Sequence, residues 1–342
     1  MKIASDNPAT NALGSGVSDE MVEQAIQASG YPLQLVVAQE LSGDFSLQEE
    51  WSFVDPDSGS ARTIDLLASK LLFERKEPQP RIRPELNFIV ECKQSDLPYV
   101  FFLSGSHPWL PDFPVISGLK TRDIVLTSDD DPSSWTFRPL HVLELDRHPF
   151  LTESVPFCMT FSKCVRKGKE LFLSGSDPYQ SLVFPIIKAV SHFDKVQSPP
   201  STAYYFDCHM VIGLAILDAP MVGVRLTETG NVTEILPWVR IVRHQACDGE
   251  NKAERSQILG IDVIHKDYLR TYVDQHVTPF AEEFSALALK HAHELADARG
   301  FAPSMGENSW TEIESRLQRA SFGTGGKRYK ATLKRILSVF KK

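Results

Sequence analysis

Two charged residues close an apolar run at Phe88-Ile89-Val90-Glu91-Cys92-Lys93. In a strand, alternation sends Phe88, Val90 and Cys92 to one face and Ile89, Glu91 and Lys93 to the other, so a carboxylate and an ammonium share a face of a central element. Burying such groups is costly unless they pair or hold a metal. Asp65 raises the same question inside Ile64-Asp65-Leu66-Leu67-Ala68. A third acid, Glu40, falls on a helix opened by Pro32, where Leu33, Val36, Val37, Glu40 and Leu41 recur at i, i+3, i+4, i+7 and i+8 and set Glu40 beside the apolar stripe. Three carboxylates and one lysine therefore follow in the order helix, strand, strand. Grouped carboxylate oxygens suit Mg²⁺ or Mn²⁺, which offsets their repulsion, lowers the pKa of bound water and polarises a phosphate. A lysine beside them stabilises charge developing on phosphoryl oxygens.

The elements that must position these residues are legible on either side. Ser18 is a helix N-cap with acidic residues in the first turn, and Gly30 stops that helix. Strands are expected over 45–54, 62–69 and 87–93, the first two joined by Asp55-Pro56-Asp57-Ser58-Gly59. Residues 97–156 hold eight of the 22 prolines and read as an irregular insertion. Asp177 and Pro178 open a helix to about Asp194, followed by an apolar strand from Met210 to Leu217 and a hairpin through Glu228-Thr229-Gly230-Asn231. A strand and helix span 261–276, and Thr278-Pro279 start a last helix with Phe280, Phe284, Leu287, His291 and Leu295 at helical spacing. The two Phe-Leu-Ser-Gly-Ser segments, at 102–106 and 172–176, read as strand exits of similar turn chemistry and not as a repeat.

On Glu40, the Arg62-Thr63-Ile64-Asp65 strand and Ile89-Val90-Glu91-Cys92-Lys93-Gln94, the chain resembles the PD-(D/E)xK nuclease superfamily over about Tyr31 to Gln94. Ile64 stands where the name-giving proline would be. The resemblance implies a restriction-endonuclease-like α/β fold, a mixed central sheet flanked by helices. It implies that Asp65 and Glu91 ligate Mg²⁺ (or Mn²⁺) with help from Glu40, that Lys93 orients or activates the attacking water, and that Gln94 is auxiliary. The implied activity is metal-dependent hydrolysis of nucleic-acid phosphodiesters, DNA more than RNA, in restriction, repair or antiviral defence. The alternative is a catalytically weak module that binds nucleic acid or protein within a larger defence or repair assembly. No separate DNA-reading motif is apparent, which favours weak sequence preference or targeting by a protein partner.

Composition bounds the rest. Of 342 residues 42% are hydrophobic and 23% charged, which excludes wholesale disorder. No apolar stretch approaches the roughly 20 residues that span a bilayer, and Met1-Lys2-Ile3-Ala4-Ser5-Asp6 has no apolar signal region, so a cytoplasmic location is expected. The five cysteines are odd in number and lack a Cys-x-x-Cys pair, so buried reduced thiols are expected in place of a disulfide framework. Residues 1–17 read as a flexible leader, 18–300 as one nuclease-like domain with the insertion at about 97–175, and 301–342 as a basic helical tail. From Ser315 onward there are nine basic residues and no acidic one, leaving −17 on the remainder of a chain whose net charge is −8. Lys327, Arg328, Lys330, Lys334 and Arg335 are accordingly the expected nucleic-acid contacts. The apolar spacing of Leu333, Ile336, Leu337 and Phe340 also admits a membrane-surface helix.

Other motifs fail on spacing. Gly323-Thr324-Gly325-Gly326-Lys327 has Ser321 where a phosphate loop needs glycine and Arg328 where it needs Ser or Thr. His291 and His293 are two apart and point away from each other on a helix. Asp129-Asp130-Asp131 reads as a solvated loop, and Trp109, Trp135 and Trp238 as core residues of their own segments.

Overall fold

Runs of Val, Ile, Leu and Phe favour extended chain, and here they assemble one large mixed sheet. The computed structural model describes residues 1–74, 78–105, 110–128, 134–152, 155–246 and 256–302. The expected meander is β1 (Ser46–Val54), β2 (Ala61–Leu71) and β3 (Ile82–Gln94), antiparallel throughout. β4 (Tyr99–Leu103), β5 (Val115–Ser117), β6 (Ile124–Ser128) and β7 (Ser134–Phe137) follow, then β8 (Phe157–Lys167) and β9 (Glu170–Ser174). After the helix Phe184–Val196 come β10 (Phe206–Asp218), the hairpin of β11 (Met221–Thr227) and β12 (Gly230–Ile235), then β13 (Trp238–Ala246), β14 (Ser256–His265) and β15 (Arg299–Ala302). The main sheet runs β1-β2-β3-β10-β14-β13-β8-β4-β11-β12, with β5 added on β10 and β9 on β8, while β15-β6-β7 form a small second sheet.

β3 and β10 pair in parallel along their whole length, from Ile82↔Phe206 to Gln94↔Asp218. Each is continuously buried along its centre, over 86–92 of β3 and 208–217 of β10, as strands covered on both faces must be. On one face lie the helices Tyr31–Leu41 and Thr278–Lys290, whose Leu33, Val37, Leu41, Phe280 and Phe284 share a core with Phe88, Val90 and Ile212. On the other lies Phe184–Val196, whose Ile186, Ile187, Val190 and Phe193 pack with Ile89, Val211 and Ala215. A Cβ at Gly213 would stand 2.5 Å from Ile186 Cγ2, so glycine there lets the helix close on the sheet. Away from the meander, Arg240 of β13 and Asp262 of β14 form a wholly buried bidentate pair at 2.7 and 2.9 Å. The Tyr272 hydroxyl donates to the same carboxylate at 2.7 Å, and the pair's hydrogen bonds are thereby made within the core.

Several expectations are corrected. Residues 97–175 are not an irregular insertion: β4, β8, β9 and β5 extend the main sheet, and the described prolines Pro98, Pro111, Pro114, Pro139, Pro149 and Pro156 sit in the turns and short helices between strands. The last helix breaks at His291 and resumes over Ala292–Asp297. Others agree. Ser18 caps its helix by accepting the Met21 amide, the two Phe-Leu-Ser-Gly segments end β4 and β9, and Cys92, Cys158, Cys164 and Cys208 are buried free thiols. Trp238 packs in the core against Phe150 and Tyr272. Among the described residues no helix is long and apolar enough to cross a membrane. Cys247, Trp109, Asp129-Asp130-Asp131 and the tail beyond Ala302, with Lys327, Arg328, Lys330, Lys334 and Arg335, lie outside the described residues.

Candidate active site

The site forms where β2 and β3 part. Their ladder runs from Leu71↔Glu85 to Leu66↔Val90, and the next pair in register, Asp65 with Glu91, is not made. Beyond that point, among the described residues, β2 pairs only with β1, and β3 only with β10. The Cys92 amide, left without a ladder partner on this side, donates to Asp65 Oδ2 at 2.6 Å. A side-chain carboxylate thus closes the bond that the backbone leaves open.

The split coincides with a change of face. Ile64 and Leu66 are two residues apart yet belong to opposite core layers, and on β1 Leu47 packs with the layer of Leu66 while Trp51 and Phe53 pack with that of Ile64. Regular alternation cannot do this. The pairs Glu49↔Leu66 and Trp51↔Ile64 set Glu50 opposite Asp65, and Glu50 has φ 49°, the left-handed region that L-residues other than Asn and Asp seldom enter. Both strands turn over at this point, which leaves Asp65 at the seam between layers.

Glu91 and Lys93 project from the face that Phe184–Val196 covers, as alternation required, and the Lys93 ammonium donates to Glu91 Oε1. Glu91 is 7% exposed, whereas Lys93 is about one-third exposed. Burial pushes the Glu91 carboxyl up to about 7; Lys93 opposes this, and the charges of Asp65 and Glu50 add to it. Burial likewise raises Asp65, against the Cys92 amide and Lys93, which lower it. Burial wins in both, so each carboxyl holds its proton more tightly than it would in water.

Compared with family models, curated proteins and solved structures, the chain matches none. What the site can do therefore rests on its own geometry.

That geometry brings together Asp65, Glu91 and Lys93 and leaves out two expected residues. Glu40 is exposed, because the helix Tyr31–Leu41 buries Leu33, Gln34, Val37, Ala38 and Leu41 instead of the stripe that included Val36 and Glu40. That helix also covers the Phe88 and Val90 face, opposite the one from which Glu91 projects. Gln94 is exposed at the end of β3 and alternates onto the Cys92 face, away from Lys93. Two residues join the site unannounced. Gln34 donates through Nε2 to the Asp65 carbonyl at 3.0 Å, and Glu50 faces Asp65 across β1 and β2. A polar residue at a helical apolar position was the available signal for Gln34; nothing in the sequence marks Glu50.

The donor set fits a hard divalent cation held in part by the protein. Two adjacent carboxylates, both raised by burial, are the ligands Mg²⁺ takes when waters and phosphate oxygens complete its shell. Among the described residues no group of three His, Cys, Asp or Glu side chains gathers into a metal cage, so Glu40 does not complete a trio with Asp65 and Glu91.

Proposed function

We propose that the protein is a metal-dependent nuclease that hydrolyses DNA phosphodiesters on a restriction-endonuclease-like core. The observation that carries this reading is the convergence of Asp65, Glu91 and Lys93 at the split between β2 and β3. The unit of helix Tyr31–Leu41, β1, β2 and β3, followed by helix Phe184–Val196 and the parallel strand β10, supports it, because it presents both strand ends at one edge with a helix layer on each side. The basic stretch beyond Ser315 supplies attraction for a polyanion that an acidic body lacks.

Asp65 and Glu91 are the residues that hold Mg²⁺ or Mn²⁺. Bound there, the ion supplies Lewis acidity toward a phosphoryl oxygen and a more acidic water. Asp65 arrives preoriented, since its Oδ2 is fixed by the Cys92 amide. Glu91 is fixed by β3 and by Lys93. Lys93, exposed enough to reach a substrate while sharing Glu91's face, donates to phosphoryl oxygens as their charge grows. The apolar surroundings that raise Glu91 also strengthen each of these interactions.

The test is incubation of the purified protein with circular, linear and single-stranded DNA and with RNA, each with Mg²⁺, Mn²⁺ or EDTA. Cleavage of DNA with metal, absent with EDTA and in Glu91→Ala, is expected. No cleavage of any substrate under any of these conditions overturns the reading. A second reading, a catalytically weak binding module, draws on the Glu91–Lys93 ion pair, which lets the site satisfy itself in part without metal. Calorimetric titration with Mn²⁺ separates the two, because only the nuclease requires binding at Asp65 and Glu91.

A further inference from the structure

Gln34 is 5% exposed on the buried side of the helix Tyr31–Leu41, among Leu33, Val37 and Leu41. A primary amide in such a place is unfavourable unless its hydrogen bonds are made. Its Nε2 donates to the backbone oxygen of Asp65 at 3.0 Å, across 31 residues of sequence. This bond falls at the residue where β2 leaves β3. Continued in register, the ladder would next set Ile64 against Cys92 as a hydrogen-bonded pair, with the Cys92 amide on the Ile64 carbonyl. Instead Asp65 is gripped twice: its carbonyl by the Gln34 amide, and its carboxylate by the Cys92 amide. The first bond fixes where the main chain runs, and the second fixes where the carboxylate points.

We infer that Gln34 is a positioning residue for Asp65, holding β2 away from β3 so that the Asp65 carboxylate, and not the Ile64 carbonyl, meets the Cys92 amide. The helix Tyr31–Leu41 thus serves the site with an amide aimed at the main chain, not with the carboxylate of Glu40. The inference rests on the reading of Asp65 and Glu91 as the metal-holding pair for its effect on turnover, but its structural core is independent of any activity. Gln34 touches neither Glu91 nor Lys93 through any hydrogen bond described among these residues, so its influence travels through Asp65.

The experiment compares the full chain with Gln34→Leu, which keeps volume and loses the donor, and with Gln34→Asn, which keeps the amide but shortens its reach. The readout is amide hydrogen exchange at Cys92, with Val211 and Ile212 of β10 as core controls. Both variants should speed Cys92 exchange at least about tenfold and leave the controls unchanged. If the wild-type protein cleaves DNA, turnover should fall about 10- to 100-fold, the range for residues that orient metal ligands, with KM for DNA unchanged. Unchanged Cys92 exchange in a folded variant overturns the inference whatever happens to activity, and so does equal acceleration of Cys92 and the controls, which makes Gln34 a packing residue only. Faster Cys92 exchange with an inactive wild-type protein retains the positioning role and rejects the nuclease reading.

Discussion

Asp65 Oδ2 accepts the Cys92 amide at 2.6 Å, at the position where the β2–β3 ladder has just ended. The bond makes Asp65 both a strand terminator and a carboxylate held ready beside Glu91. On the proposed function, removing Asp65 has two consequences, one structural and one chemical, and Glu91 offers the cleaner test of the chemistry.

Glu91→Ala and Asp65→Ala should each lower cleavage by at least about 10²-fold, roughly 2.7 kcal/mol of transition-state stabilisation. Their stabilities should part company. Thermal unfolding without metal should leave Glu91→Ala as stable as the parent or more so, because a buried carboxylate is gone. Asp65→Ala should lose about 1–3 kcal/mol, because the Cys92 amide is left unpaired, and Asp65→Asn should recover much of that through its side-chain oxygen. A smaller loss of cleavage is too slight for a metal ligand.

The raised Glu91 carboxyl predicts how stability varies with pH in the absence of metal. The folded protein holds this proton more tightly than the unfolded chain, so the stabilisation is full below about pH 4.5 and drains away as pH rises through about 7. Denaturant unfolding should show a contribution of about 3 kcal/mol that is lost over this window. Glu91→Gln should flatten the profile there. Millimolar Mg²⁺ should restore stability above pH 7 in the parent and not in the variant.

Lys93 is bonded to Glu91 and lowers its pKa, so Lys93→Met should push that pKa above its present value of about 7. The pH at which Glu91 ionises, followed by carboxyl NMR, should rise accordingly. Turnover should fall with little change in affinity for DNA, since the ammonium meets charge that grows only in the transition state. Affinity falling in step with turnover would reduce Lys93 to a phosphate anchor.

Glu50 couples backbone strain to charge. Glu50→Gly should stabilise the protein by about 0.5–1 kcal/mol, relief from the left-handed φ of 49° exceeding the added freedom of the unfolded chain. Glu50→Gln should leave that strain in place. Both should lower the Glu91 pKa by removing a neighbouring negative charge. Equal unfolding midpoints for the Gly variant and the parent would show that the backbone there is not strained.

Asp65, Glu91 and Lys93 were legible because each interrupts an apolar strand, where a charge is too costly to be idle. The meander, the alternation along β3 and the hairpin at Gly230 followed from local pattern in the same way. The helix Tyr31–Leu41 was legible as a helix but not in its orientation. Leu33, Val37 and Leu41 anchor two overlapping stripes, one through Val36 and Glu40 and one through Gln34 and Ala38, and only packing against β2 and β3 selects the second. Prolines between strands disguised the four strands of residues 97–175 that join the main sheet, because turn-forming residues report where a chain bends and not what the intervening pieces pair with. The parting of β2 from β3 and the turnover at Glu50 and Asp65 were decided by tertiary structure alone. A left-handed backbone in a residue other than glycine has no local cause, and it persists because β1, β2 and the helix layers on both faces fix its neighbours on either side. The sequence by itself determined which charges interrupt apolar strands; the joining of distant segments determined that Asp65, Glu91 and Lys93 meet.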